Sequence, residues 1–350
     1  MRATLSGQAD TVGEPAASGS RRLTDRVFRI RESGIIAVLV VFVAVTASVQ
    51  PRFLSSGNIQ FILVNTTVFA LLALGETMVV VSRNVDLSIG SVLGLSAYVS
   101  AGLFGQVHGI PIPVVFLTGL GIGLACGIAN GLMVSIGRVP SLVVTLATLY
   151  IVRGIDILVV GGNEVIAQTL PDGFTQLPRA GLGGVPYLAI VIAAVIGAGA
   201  YYLRSFRSGR ELYAIGSNPD AARLAGIGVG KRVFTAFAVS GAIAGLAGVL
   251  WAAQYQTIDS TAGTGYELQV IAAVVVGGVA IFGGSGSAVG AAIGALLLQT
   301  ISSALNVLGI PPLWIQAIAG FLLLLAITLD RAISVRLLTS LRVRSSGVGT

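Results

Sequence analysis

The 350-residue chain is 55% hydrophobic and 10% charged, with a mean hydropathy of +0.93. Soluble domains carry about 25% charged residues, so a protein with water on all sides is excluded. The net charge of +7 does not mark a nucleic-acid binder, because all but Lys231 of the 21 basic residues are arginines set between apolar runs, which is a membrane-topology pattern.

In chain order, residues 1–33 form a polar arm rich in Gly, Ala and Ser with arginines at 2, 21, 22, 26, 29 and 31, expected to be a basic, largely disordered cytoplasmic arm. Val45-Thr46-Ala47 faintly resembles a signal-cleavage site, but the apolar runs that follow favour an uncleaved first helix. Ten apolar runs follow, at roughly 34–50, 59–82, 88–106, 112–137, 141–160, 187–204, 233–256, 265–282, 287–308 and 312–329. They do not alternate in polarity as barrel strands do. Helices satisfy their own backbone in lipid, so the expected fold class is an all-α membrane protein of about ten transmembrane helices. The transmembrane domain is 34–330, with a polar loop at 204–232 between helices 6 and 7 and a basic cytoplasmic tail at 331–350. With the N and C termini cytoplasmic, 18 of the 21 basic residues fall inside, leaving Arg52, Arg153 and Arg179.

Cys126 is alone, so it forms no intrachain disulfide, and the single histidine, His108, has no Cys/His cluster around it; the expected metal set is empty. Glycines recur at four-residue spacing in Gly123/Gly127/Gly131, Gly241/Gly245 and Gly286/Gly290/Gly294. Such stripes let helices approach closely, within one chain or at a dimer contact. A short echo, Gly90-Ser91-Val92-Leu93-Gly94 and Gly286-Ser287-Ala288-Val289-Gly290, hints at an internal repeat.

Charged residues in the spans are costly unless paired or wetted. Arg153 and Asp156, three apart, suit one another. Asp86 and Ser88 stand where a helix restarts, and either cap it or line a pathway. Asn84, Glu267 and Gln269 join them as pathway candidates, Glu267 doubling as a helix cap.

The loop RSFRSGRELYAIGSNPDAARLAGIGVGKR, 204–232, contains a short helix with its own punctuation. Asn218 is an N-cap, Pro219 suits the first turn, Asp220 complements the dipole and Gly226 supplies the stop. A helix of about two turns, tethered by a span on each side, is suited to press on a partner, with Ala221 and Ala222 allowing close seating. Ala225 to Arg232 is a near miss to a P-loop: Ala225 replaces the first glycine and Arg232 the Ser/Thr after Lys231, with no strand before it.

Ala214-Ile215-Gly216-Ser217-Asn218-Pro219 with Ala221-Ala222 and Leu224-Ala225-Gly226-Ile227 resembles the coupling-helix segment of the ribose/xylose/rhamnose-type ABC permease family. Val85-Asp86-Leu87-Ser88-Ile89-Gly90-Ser91, Gly263-Thr264-Gly265-Tyr266-Glu267-Leu268, Ile271 to Gly278, and Gly283-Gly284-Ser285-Gly286 resemble its other signatures, in order, over about residues 30–330. One departure stands out: Arg83-Asn84 occupies the place of two usual glycines.

The resemblance implies a permease subunit in the bacterial cytoplasmic (inner) membrane, importing a monosaccharide or sugar-like solute (rhamnose, a pentose or a furanose-type quorum signal) by alternating access. It is a transport subunit and not an enzyme. The chain itself binds no cofactor; ATP and Mg belong to a partner cytoplasmic ATPase. Further partners are a second permease subunit (a homodimer or a paralogue), an extracytoplasmic solute-binding protein and membrane lipid, with no nucleic acid. On the same resemblance Gly216, Ser217, Asn218, Pro219, Ala221, Ala222, Leu224 and Gly226 couple to the ATPase. Two other classes compete. An ion-coupled secondary transporter would use the acids but needs no docking loop, and a membrane enzyme needs convergent catalytic groups, which one His, one Cys and scattered acids do not supply.

Overall fold

The structure, a computed structural model, describes residues 33–311 and 313–328; the expectations for the N-terminal arm and the C-terminal tail lie outside them. Twelve helices carry the described fold. In chain order they are α1 (Ser33–Val49), α2 (Ser56–Val81), α3 (Ile89–Gln106), α4 (Ile112–Ser135), α5 (Ser141–Val160), α6 (Tyr187–Ser205), α7 (Arg207–Ser217), α8 (Pro219–Leu224), α9 (Val229–Tyr255), α10 (Tyr266–Val276), α11 (Ala288–Val307) and α12 (Trp314–Thr328). Among the described residues seven helices, α2 to α6, α9 and α11, are long and apolar enough to cross a membrane. Between α5 and α6 lie a helical turn (Asp172–Thr175) and a two-residue antiparallel hairpin pairing Gly181–Leu182 with Val185–Pro186.

The bundle is built around α2, α9 and α11. In α2 every residue from Thr67 to Val81 is buried, charged Glu76 included. α1, α5 and α6 instead leave large apolar side chains such as Val41, Leu158 and Ile190 open, as lipid-facing helices do. The glycine stripes explain the tightest seam. A Cβ on Gly123 would lie 2.1 Å from the Gly241 carbonyl oxygen, and one on Gly245 would lie 2.1 Å from that of Gly119, so α4 and α9 meet backbone to backbone. The third stripe packs on α10, where a Cβ on Gly294 would meet the Ala273 oxygen at 2.0 Å. All three stripes therefore serve packing within the chain.

One expected span is corrected. The run 265–282 does not form a crossing helix: α10 stops at Val276 after 11 residues, about 16 Å at 1.5 Å per residue, against a hydrocarbon core of about 30 Å. Gly277 and Gly278 follow, Gly278 at φ +88°. The amides of Gly278 and Val279 donate to the carbonyls of Val275 and Val274 at 2.9 and 3.1 Å, which is a Schellman stop. α2 ends identically: Arg83, at φ +68°, donates to Val80 at 2.9 Å, and Asn84 donates to Val79 at 3.2 Å. Both helices end on three valines, 79–81 and 274–276, and the sequence echo marks the helix starts that follow the two stops.

Candidate functional site

The polar interior begins at the first break. Beyond the α2 stop, the chain turns through Asn84 to Leu87 before α3 restarts. The Asp86 amide donates to Glu76 Oε1 at 3.1 Å. Asp86 Oδ1 accepts from the Ser88 amide at 2.9 Å and from its hydroxyl at 2.6 Å, closing an Asx turn that leads into α3, whose own start at Ser88 carries no side-chain cap. Asn130 Nδ2 on α4 donates to Ser88 Oγ at 2.9 Å, and Thr148 Oγ1 on α5 donates to Asn130 Oδ1 at 2.6 Å. The chain of contacts ties α2, α3, α4 and α5 together through buried groups, and Glu76 Oε2 at its end has no hydrogen-bond partner among the described residues. Sequence reading singled out Asp86 and Ser88 but missed Asn130 and Thr148, whose role shows only when α4 and α5 are brought beside the break.

The half-helix α10 begins midway along α2. Tyr266, the first residue of α10, packs against Phe69 with ring centroids 4.5 Å apart and planes tilted by 39°, and Phe69 stands midway along α2. The segment before it descends into the bundle beside α3: a Cβ on Gly94 would meet the Ala262 oxygen at 2.4 Å, and one on Gly90 would meet Glu267 Oε2 at 2.3 Å. Arg153 holds that segment, donating to the Ala262 and Ser260 carbonyls at 2.7 and 3.1 Å, while pairing with Asp156 at 3.3 Å as their spacing predicts. A half-helix that begins inside the bilayer is the architecture by which transporters place polar groups at the midplane. Among the expected pathway residues, Asp86, Ser88 and Gln269 are enclosed by the bundle in this conformation, whereas Asn84 and Glu267 remain partly open. Gln316 of α12 lies beside Gly265, its Nε2 3.1 Å from where a Cβ would sit.

The 204–232 loop adds an element that sequence reading did not place. Ahead of the short helix stands α7, an 11-residue amphipathic helix. Glu211 on α7 accepts from Arg207 Nε at 2.8 Å and from Arg232 Nε at the foot of α9. The Arg232 and Arg207 guanidiniums hold its carboxyl below the usual carboxylate range. Tyr213 donates to the Gly286 carbonyl at 3.1 Å. Gly216 is wedged against the first break, where a Cβ would lie 1.9 Å from the Val81 oxygen and 2.4 Å from the Gly284 amide. That amide itself donates to Val81 at 3.0 Å. α7 therefore rests on both helix breaks at once.

The short helix is α8. Asn218 Oδ1 accepts from the amides of Asp220 and Ala221, both at 3.0 Å, and Pro219 opens the helix, as expected. Ile227 donates to Ala222 at 3.0 Å and Gly226 to Arg223 at 2.9 Å, with Gly226 at φ +79°, closing it with a third Schellman stop. The two alanines are not equivalent. Ala222 is buried against its own chain, and Ala221 faces out. Beside Ala221 stands Leu224 at 92% exposure, with Ala225 also open. Among the expected coupling residues, Ser217, Asn218, Ala221, Leu224 and Gly226 are exposed, while Gly216 and Ala222 anchor the segment from beneath.

A half-helix that starts midway along α2, and a capped, outward-facing helix seated on the two turns at the loop-side end of the bundle, define a polytopic transport permease. The chain matches the model of the family described as branched-chain amino acid transport system / permease component over residues 58–327, and it belongs to that family. It is 35% identical over 318 residues to the ribose import permease protein RbsC of Escherichia coli K12, covering 89% of this chain and 96% of the relative. It is 36% identical over 298 residues to the autoinducer 2 import system permease protein LsrC of Enterobacter sp. strain 638, covering 85% of each. No solved structure matches at a significant level.

Proposed function

We propose that the chain is the permease subunit of a bacterial ATP-binding-cassette importer carrying a monosaccharide or sugar-like solute across the cytoplasmic membrane. The observation that carries it is α8: a helix capped at both ends, presenting Leu224 to solvent and seated through α7 on both helix breaks. A secondary transporter has no use for such a surface. The arginine-rich loop and both termini face the cytoplasm, where an ATPase holding ATP and Mg docks on Ser217 to Gly226. A second permease subunit completes the pathway, and an external binding protein delivers the solute. Asn84 and Glu267 border the pathway, with Asp86 and Ser88 shaping the break behind them and Gln269 supporting α10.

The relatives import ribose and autoinducer 2 by their names, which supports a small polyhydroxylated solute. A cavity of about 280 Å³ at the opposite end from α8 fits that class: Gln60, Gln254 and Arg179 supply polar groups beside the rings of Phe61 and Tyr255. Amides bond sugar hydroxyls, and aromatic faces cover the apolar side of a sugar ring.

The test is uptake into proteoliposomes holding the permease with its ATPase and binding protein, using labelled ribose, rhamnose and a furanose-type signal. Uptake of one solute is expected to need internal ATP and to ignore proton and sodium ionophores. Uptake without the ATPase, abolished by an ionophore, establishes the ion-coupled alternative instead.

A further inference from the structure

A cavity of about 830 Å³ opens between α8 and the bundle, beside the α2 stop at Ser82 to Asn84. Three arginines from three separate segments line it: Arg83 after the α2 stop, Arg138 in the turn between α4 and α5, and Arg223 on α8. No acidic residue lines it. The side chains of Arg83 and Arg138 make no hydrogen bond or ion pair among the described residues. Arg223 pairs with Asp220 at 2.7 Å, but both are largely exposed, and such pairs contribute little. Arg83 and Arg138 also hold φ of +68° and +55°, where glycine is the usual occupant. Long cations thus stand at two turns whose backbone disfavours them.

Two further features make the cavity positive. α5 and α9 both begin on it, at Ser141 and at Val229–Gly230, and neither start carries a side-chain cap. Helix starts bear partial positive charge and free amide donors. Ser135, Ser141 and Asn84 add neutral polar groups around the arginines. Arginines lining one cavity with hydroxyl groups and helix-start amides are the chemistry that binds phosphate, which accepts several charge-assisted hydrogen bonds at once.

We propose that this cavity is a binding site for a phosphate group, carried by a small phosphorylated solute or by an anionic lipid headgroup. The bound phosphate bridges Arg223 on the docking helix to Arg83 and Arg138 on the bundle. Its occupancy therefore fixes α8 against the two turns from which α3 and α5 start, and gives the cell a ligand-sensitive control on the transmission path. The cavity shares Asn84, Pro219 and Arg223 with the pathway border and docking helix of the proposed function, whereas Leu224 and the α10 start do not line it.

The experiment uses the full chain in nanodiscs of phosphatidylcholine, titrated calorimetrically with inorganic phosphate and with ribose 5-phosphate, and repeated in nanodiscs containing phosphatidylglycerol. The double variant Arg83→Gln/Arg138→Gln is the comparison. Its melting temperature in phosphatidylcholine without phosphate should equal that of the native chain, since neither side chain has a partner to lose. If the ligand is a free phosphate, the native chain binds it saturably, the affinity falls at least tenfold in the double variant, and raised salt weakens it. If the ligand is the headgroup, phosphatidylglycerol raises the melting temperature of the native chain only and blocks the free phosphate. Absence of both effects overturns the proposal, as does binding undiminished in the double variant. Loss of ATPase binding in the variant with no phosphate or lipid effect also overturns it, by making the arginines a protein-docking patch.

Discussion

Leu224 offers the sharpest test of the docking surface. It is 92% exposed on a helix whose ends are both fixed by hydrogen bonds. Burying a leucine side chain in an interface stabilises by about 1.5–3 kcal/mol, so Leu224→Ala should weaken ATPase binding roughly 10- to 100-fold per docking helix at about 1.4 kcal/mol per factor of ten. Leu224→Glu should cost more, because it also buries an unpaired charge. The isolated permease should not notice either change, since exposed substitutions move stability by about 0.5 kcal/mol or less. Ala222→Leu makes the internal contrast: Ala222 is 4% exposed and turned inward, so added bulk should loosen α8 itself and lower permease stability by about 1–3 kcal/mol. The assay is co-purification and surface-plasmon titration of the ATPase, with unfolding of the permease alone as control and ATP-driven uptake as readout. Native ATPase affinity in Leu224→Glu would refute the docking assignment.

Other expectations follow from the same contacts. Gly241→Ala puts a methyl 2.4 Å from the Gly123 oxygen and 2.6 Å from the Gly127 Cα; forcing α4 from α9 should cost about 1–3 kcal/mol, read as a lowered unfolding midpoint, while Gly121→Ala, with nothing within 4 Å, should leave it unchanged. Asp86→Ala leaves the Ser88 amide and hydroxyl without their acceptor, a cost of about 1–3 kcal/mol, and should impair uptake in a protein that still inserts, whereas Asp86→Asn keeps the acceptor and should retain most uptake. The Glu211 clamp has a pH signature. Its carboxyl is held below its ordinary value by Arg232 and Arg207, so its contribution is present above the unfolded carboxylate pKa of about 4.3 and is lost as the pH falls through the folded value. Hydrogen exchange should show α7 protection steady from neutral pH down to about 5 and falling below about 4, and Glu211→Gln should show the unprotected rate at neutral pH.

Much of this architecture was legible because its causes are local. Asn218, Pro219 and Gly226 specify a start and a stop within nine residues, and no tertiary contact is needed to read them. The glycine stripes announce close approach, but not between which helices; only the fold shows that the stripe of α4 faces the stripe of α9. Arg153 and Asp156 were readable as a pair, yet the carbonyls of Ser260 and Ala262 that Arg153 also holds are more than 100 residues away. Asn130 and Thr148 were illegible for the same reason, since an isolated polar residue in an apolar run carries no sign of its partner.

The half-helix α10 escaped notice for a different reason. Hydropathy senses composition and not backbone direction, and Val274 to Phe282 stays apolar straight through the stop at Gly277 and Gly278. The signal lay in a comparison of two distant segments. Three valines precede each stop, and an αL residue stands two positions after the last of them, Arg83 in one case and Gly278 in the other. Glycine adopts that conformation freely, whereas an arginine there is strained, so the second break looks like a break in sequence and the first like a charged loop. Their backbone bonds are nonetheless the same. The two breaks then meet at the Gly284–Val81 hydrogen bond with Gly216 beneath, where no side chain larger than hydrogen fits at position 216. A displacement of α7 therefore reaches α2 and the chain leading into α11 together. In this chain the backbone, more than any charged side chain, makes that connection.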